Sequence, residues 1–300
     1  MPRAHRNARR IDGVLLLDKP HGIGSNAALQ HARRLLAAER AGHTGTLDPM
    51  ASGLLGLCFG DATKFSAELL DAGKTYVATL QLGVRTSSGD AEGEVLERRP
   101  VSVTREQFEH ALGRFRGEIK QVPPMYSALK RDGRPLYEYA RKGIAVEREA
   151  RTVLVNGLEL REFDGDRAVV SVDCSKGTYV RALAEDIGAA LGCGAHLCAL
   201  VRTGIGRFKL ERAHRFEEIE ALPEARRTEL LLPVDSLLDG LPALALDDGQ
   251  AAGFLQGQAV PAAEAGRGRM RVYAPGGRFL GVGEARPDGR LHPRRLVRPD

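Results

Sequence analysis

The sequence predicts an α+β protein on a mostly antiparallel mixed sheet with flanking helices, plus a small β-rich unit at its C-terminal end. Three observations carry this. Segments that alternate, such as "KTYVATLQLGV", stand among segments of helical spacing, such as "SNAALQHARRLLAAE", without a regular strand–helix–strand rhythm. Short apolar runs, "GVLLLD" and "GLLGLCFG", look like buried strands, and none approaches the roughly 20 residues that span a bilayer. After Pro242 the texture changes to short strands separated by Gly-Gly and Asp-Gly turn signals. We therefore divide the chain into a main domain, 1–241, and a small domain, 242–300.

In chain order, "DGVLLLDKP" reads as a strand closed by Pro20 and followed by the glycine turn "HGIG". Ser25 reads as the N-cap of a helix to about Glu39, with Ala28, Ala32, Leu35 and Leu36 at helical spacing. A glycine-rich loop, "AGHTGTLDPMASG", comes next. It holds one Asp, one His and three Gly, a composition that costs conformational entropy rather than adding stability. "KTYVATLQLGV" puts Tyr76, Ala78, Leu80 and Leu82 on one strand face, with "GEVLERR" as its hairpin partner. "TREQFEHALGRF" opens with a Thr-x-x-Gln capping box. The stretch from Pro123 to about Arg151 is irregular and basic, with a short helix from Leu136 to Arg141. Two strands, "TVLVNGLEL" and "AVVSVDCS", a helix "YVRALAEDIGAAL" and a strand "HLCALVRTGIGRF" complete the main domain.

Hydrophobic content of 43% with 28% charged residues is ordinary for a globular protein. "MPRAHRNARR" lacks the apolar core of a secretory signal, so the expected location is cytoplasmic. Cys58, Cys174, Cys193 and Cys198 form no dense disulfide framework. "CGAHLC" has no second knuckle to complete a zinc site, so no metal is expected. Net charge is +5, but the basic residues gather: four Arg in the first ten residues, Arg141, Lys142, Arg148 and Arg151 mid-chain, and a tail "RLHPRRLVRPD". Such arms suit a polyanionic partner, although solvated charged tails look the same.

The usual nucleophile and phosphate motifs are missing. There is no G-x-S-x-G, no G-x-x-x-x-G-K-[ST], no dinucleotide glycine pattern and no H-E-x-x-H. What remains is a cofactor-free mechanism built on ordinary side chains. "GHTGTLDPMASGLL" resembles the catalytic-loop signature of the TruB family of pseudouridine synthases. "GVLLLDKPHGIGSN", "GDATKFS", "KTYVATLQLG", "PPMYSALK", "CSKGTYVRALAEDIG", "LGCGAHLCALVRTGIGRF" and "GRFLGVGE" resemble further motifs of that family, collinear over nearly the whole chain. Gly24 stands where the family pattern has a hydroxyl residue.

The resemblance implies a pseudouridine synthase fold with an RNA-clamping insertion (about 123–151), a PUA-like C-terminal domain, and isomerisation of uridine 55 in the T-loop of tRNA. It implies Asp48 as the essential carboxylate and His43 as the residue that fills the space left by a flipped base. Tyr76 would stack on the extracted base, with Tyr179 on the opposite wall. Arg181 would pair with Asp48 and keep it ionised, and Leu200 and Lys64 would sit near the base. Lys19 would support the loop or the RNA backbone. The expected partner is the T-arm of tRNA; no membrane, no protein partner and a monomer are expected. Plainer readings stand beside these: a loop histidine making local hydrogen bonds, strand-face aromatics, an exposed helical arginine. Two other functions remain open at this point, an RNA-binding or tRNA-folding factor and an Asp-nucleophile phosphotransferase, the latter without the metal and second acid it would want.

Overall fold

The computed structural model describes residues 8–262 and 266–298. Arg3 and Arg6 of the basic N-terminal arm lie outside these, as do the last two residues of the tail. The main domain begins with β1 (Gly13–Lys19), α1 (Ser25–Leu35), β2 (Ala41–His43) and β3 (Ala51–Phe59). A 3-10 turn (Gly60–Phe65) and α2 (Ser66–Asp71) lead to β4 (Lys74–Leu82), β5 (Val84–Thr86) and β6 (Val95–Arg98). α3 (Arg105–Leu112) and β7 (Gly117–Gln121) follow. The basic stretch holds a small hairpin, β8 (Lys130–Arg131) and β9 (Arg134–Pro135), and α4 (Leu136–Ala140). β10 (Arg151–Asp164), β11 (Arg167–Cys174), α5 (Val180–Ala190), β12 (Ala195–Ile205), β13 (Phe208–Lys209) and α6 (Phe216–Ala221) complete the domain.

The main sheet runs β1-β3-β12-β4-β11-β10-β7, with β2 on β3 and β13 on β12. Its pairs are antiparallel except β3 with β12, where Leu200 to Arg202 run beside Ala51 to Gly53. That one parallel join makes the sheet mixed and brings two segments distant in sequence side by side.

Side-chain alternation sorts the core into layers. Leu15 and Leu17 of β1 and Leu55 and Leu57 of β3 face α1 and Phe216 of α6. Val14, Leu16, Leu54 and Cys58 point to the other side, where Phe65, Leu69 and Leu237 cover them. Both strands are therefore buried on both faces, which is why they read as unbroken apolar runs. A separate cluster packs α3 and α5 on β4, β10, β11 and β12 through Phe108, Leu183, Ile187, Ala78 and Leu80.

Two local expectations are corrected. α1 ends at Leu35, and its N-cap is Gly24, not Ser25. Ser25 is the first helical residue, and its hydroxyl is turned to Leu47 instead of the helix amides. The "GEVLERR" segment does not pair with β4, whose two edges are taken by β11 and β12; it pairs with β5 in a separate ribbon. The capping box at Thr104 and Gln107 is present.

The C-terminal unit is a five-stranded sheet, β14 (Ala243–Ala245), β16 (Gly268–Tyr273), β17 (Phe279–Ala285), β18 (Arg290–Leu296) and β15 (Val260–Pro261) in spatial order, with α7 (Asp248–Leu255) packed on it. Phe254, Met270, Val272 and Leu291 form its core. It leans on the main domain through Val282, which joins the layer containing Phe65 and Leu237. The Tyr273 hydroxyl donates to Asp235 Oδ2 at 2.7 Å, and the Arg298 amide donates to Asp61 Oδ2 at 2.5 Å.

Helix α3 offers a graded test. Thr104→Ala removes one exposed cap and should cost about 1 kcal/mol. Phe108→Ala empties a fully buried position and should cost about 3–5 kcal/mol. Chemical denaturation of both variants checks this; equal losses would contradict the packing assigned to α3.

Candidate active site

The glycine-rich loop lies between β2 and β3, and its conformation follows from close packing. Gly53 sits at φ +97°, and a Cβ there would fall 2.4 Å from the Arg202 carbonyl oxygen. Gly45, at φ +93°, is likewise left-handed and offers its carbonyl to Arg202. Leu47 and Met50 are buried as plugs in the main core. The Ser25 hydroxyl accepts from the Leu47 amide at 2.7 Å and donates to the Leu47 carbonyl at 3.0 Å. Asp48 is thus carried between two apolar anchors on a segment gripped from α1. Glycine here permits a tight fit; it does not loosen the loop.

Lys19 supports this arrangement from below. It is fully buried, and its Nζ donates to the carbonyls of Pro20 and Ile23 at 2.9 and 2.7 Å, bracing the turn that leads into Ser25. Burial and the nearby Arg202 charge lower its pKa to about 8. The side chain thus braces the loop.

Arg181, near the start of α5, is buried behind the loop. Its Nη2 lies 2.9 Å from Asp48 Oδ2, and its Nε lies 3.6 Å from Asp90 Oδ2. Nη1 donates to the Ser88 carbonyl at 3.2 Å and Nη2 to the Tyr126 carbonyl at 2.6 Å. The guanidinium is shared between a buried acid, Asp90, and an acid whose side chain is 40% exposed, Asp48. The pairing expected from sequence is present. Burial pushes the Asp48 carboxyl above the usual aspartate value, with Asp90 adding to the push. Arg181 and, more weakly, Lys19 oppose that rise without cancelling it.

Beside Asp48 is a cavity of about 280 Å³ whose walls include Tyr76, Tyr179, Leu200, Arg181 and Arg202. β4 supplies Tyr76 and β12 supplies Leu200 and Arg202, with Arg202 directly opposite Tyr76 across the ladder. Tyr179 is the N-cap residue of α5, and its amide and carbonyl are both held by the Gln121 side chain, at 2.8 and 3.1 Å. Burial raises the pKa of both phenols, so they stand protonated at neutral pH. An outer groove of about 680 Å³ shares Asp48 and Arg181 with the cavity and extends to Tyr137 and Arg141 of the basic stretch. Asp48 sits where the two meet.

One residue expected near the base stands elsewhere. Lys64 is not near the cavity: its Nζ pairs with Asp61 at 2.9 Å and donates to the Leu296 carbonyl of the C-terminal domain at 2.8 Å. The nine residues of β3 carry the chain away from Asp48, roughly 30 Å at the rise of a strand. His43, at the end of β2, does not line the cavity. Its Nδ1 is buried without a hydrogen-bond partner among the described residues. Burial and the Arg202 charge lower its pKa, so it is neutral. In the "CGAHLC" stretch, His196 Nδ1 lies 3.0 Å from the Val84 carbonyl.

Sequence reading missed Arg202, Asp90 and the use of Ser25. Arg202 left a signal, an arginine in the otherwise apolar strand "HLCALVRTGI". Asp90, in "SSGD", had none beyond a turn composition.

Comparison with known proteins follows the same outline. Residues 33–180 match the TruB family pseudouridylate synthase N-terminal domain, 181–239 the tRNA pseudouridylate synthase B C-terminal domain, and 242–297 the pseudouridine synthase II TruB C-terminal domain. A tRNA pseudouridine synthase B from Azoarcus sp. (strain BH72) is 60% identical, covering 96% of each chain. The chain belongs to the TruB family of pseudouridylate synthases. A second member of that name, from Chromobacterium violaceum, is 57% identical over 99% of this chain and 98% of its own. Among solved structures, a chain of a Cbf5-Nop10-Gar1 complex superposes with a TM-score of 0.71 at 28% identity, covering 96% of this chain and 85% of that one. A chain of an H/ACA RNP bound to a substrate RNA containing 2'-deoxyuridine gives 0.70 at 26%, with the same coverage. The family is thus one of RNA-modifying isomerases, in agreement with the fold and with a cavity built around one carboxylate.

If turnover needs the ionised form of Asp48, activity falls as pH drops through its raised pKa. The acid limb of kcat/KM should therefore lie above the value of about 3.9 for a free aspartate. Arg181→Gln, which removes the opposing charge, should move that limb to higher pH; a limb at or below the free value would contradict the electrostatics described.

Proposed function

We propose that the chain isomerises uridine 55 in the T-loop of tRNA to pseudouridine, with Asp48 as the essential carboxylate. The observation that carries this is Asp48 held by Arg181 at the mouth of a cavity walled by two tyrosines and Leu200. Relatives sharing more than half of the sequence over nearly its whole length bear the name tRNA pseudouridine synthase B. The reaction breaks the bond from C1′ to N1, forms one from C1′ to C5, releases the C5 proton and places a proton on N1. No electrons are gained or lost, so side chains suffice.

A uracil stacked in a folded loop has to be everted first, at a cost of a few kcal/mol. Stacking on Tyr76 returns roughly 1–3 kcal/mol, and Tyr179 and Leu200 close the other walls. His43, with an unsatisfied buried nitrogen beside the loop, suits the space that the base vacates. Asp48 then faces the sugar and the ring. Attack on C1′, removal of a ribose proton and attack on C6 all require it ionised, which Arg181 favours against burial.

The groove from Asp48 to Arg141 gives the RNA strand a way in, and the basic segment 123–151 is the clamp on the stem. The C-terminal sheet would contact the acceptor side. The protein acts without a protein partner in this reading. A pure RNA-folding factor has no use for a carboxylate paired to a buried guanidinium.

Purified protein, without metal or cofactor, should convert the T-loop uridine of an unmodified tRNA transcript. Asp48→Asn should abolish conversion while tRNA binding persists. Mapping pseudouridine on the transcript decides this: conversion only at other uridines overturns the substrate, and conversion by Asp48→Asn overturns the mechanism. Neutralising a Lys or Arg between residues 130 and 151 should flatten the salt dependence of binding by about 0.7–0.9 in log-log slope for each phosphate that side chain neutralises. An unchanged slope would mean that the segment does not touch phosphate.

A further inference from the structure

Lys74 opens β4 and is 7% exposed. Its Nζ donates to three backbone carbonyls, those of Leu69 at 3.1 Å, Leu70 at 2.7 Å and Ala72 at 2.6 Å. An ammonium has three donors, so all of them are spent on one turn. Burial and the nearby Arg202 charge lower its pKa to about 8, which leaves it cationic at neutral pH. The acid on that turn, Asp71, is taken by Lys176 at 2.8 Å.

These bonds meet a need of α2. A helix of six residues is too short to be stable by itself, and the last carbonyls of any helix lack partners within it. Ala72 leaves the helix in an extended conformation, so the end has to be closed from outside. Lys74 reaches back from the next strand and closes it. Leu69 holds the other side of α2, buried in the layer with Phe65 and Leu237.

The turn anchored in this way presents Leu70. That side chain is 43% exposed, and it lines the cavity beside Asp48 together with Lys74 and Tyr76. Lys74 and Tyr76 stand on the same face of β4. Ser175 and Gly177, on either side of the Lys176 that holds Asp71, line the cavity too. A single exposed leucine is ordinary on a protein surface. One set at a cavity with two tyrosines in its walls is covered when the cavity is filled. Its apolar side chain offers nothing to a phosphate and suits the face of a base or a ribose.

We propose that Leu70 is a further wall of the nucleoside site, and that Lys74 is a positioning residue that pins the end of α2 so that Leu70 packs against the everted uridine. This rests on the reading of that cavity as the uridine site. Lys74 itself takes no part in the chemistry, because its donors are already committed to the backbone.

The test reads binding of a T-arm stem-loop RNA beside its single-turnover conversion. Leu70→Ala, at a position already open to solvent, should weaken binding about fivefold to tenfold, as for uncovering part of a leucine. The rate at saturating RNA should stay within about twofold of wild type, since a binding contact and not a transition-state contact is lost. Lys74→Met should show the same split, and the double variant should bind at most about twofold more weakly than Lys74→Met, because coupled residues are not additive. Without RNA, hydrogen exchange over residues 66–73 of Lys74→Met should quicken about tenfold or more while that of α5 is unchanged. Lys74→Arg, which keeps a cation that only donates, should restore most of the protection and of the affinity. If Lys74→Met does not fold, Lys74→Gln, with two amide donors in place of three, goes through the same measurements. Wild-type binding by Leu70→Ala, losses that multiply in full, a slowed saturating rate in Lys74→Met, or unchanged exchange over 66–73 each overturns the proposal. Where the wild-type protein binds the stem-loop but converts no uridine, the proposed function fails, and the binding and exchange results still decide the roles of Leu70 and Lys74.

Discussion

The contact between Asp48 and Arg181 is the constraint on which the site depends. A carboxylate facing a cavity loses hydration, and burial alone would push it toward its neutral form. Arg181 opposes this from a position where its own charge is also buried, and Asp90 behind it balances that charge. Each ion is thus tolerable because of the next. Taking Asp90 away would leave the buried guanidinium without its buried counter-charge, a change that typically costs about 3–5 kcal/mol in buried pairs. The net result is a carboxyl whose pKa stands above the usual aspartate value.

The fold exists around that contact in a specific sense. The parallel join of β3 and β12 puts Arg202 beside Gly53, while β12 and β4 put it opposite Tyr76. α5 delivers Tyr179 and Arg181 from the far side, and the Ser25 hydroxyl on α1 holds Leu47 in place. The loop's missing side chains let backbone approach backbone. These separate segments thereby converge on one carboxylate.

Much of this was legible in the sequence. Strands buried on both faces announced themselves as unbroken apolar runs, and the Thr104 cap announced α3. Tyr76, Tyr179, Arg181 and Leu200 were named from motifs and meet at Asp48. What failed has physical causes. Ser25 looks like a cap because a serine before a helix usually is one, and only tertiary structure shows its hydroxyl taken by Leu47. Lys64 is close to Asp48 in sequence, but an intervening strand takes it to the C-terminal domain, where the Leu296 carbonyl holds it. Asp90 enters through a turn that any soluble protein could carry. The direction of the Asp48 shift could not be read at all, since it depends on how much water the folded chain removes.

The most direct measurement is a structure of the Asp48→Asn protein with a T-arm stem-loop RNA. The account predicts one uracil out of the loop, lying on Tyr76, with its C1′ about 3–3.5 Å from the side chain at position 48, as a near-attack geometry requires. A loop with every base still stacked, or an everted base lodged in the outer groove with its sugar beyond reach of position 48, would contradict it.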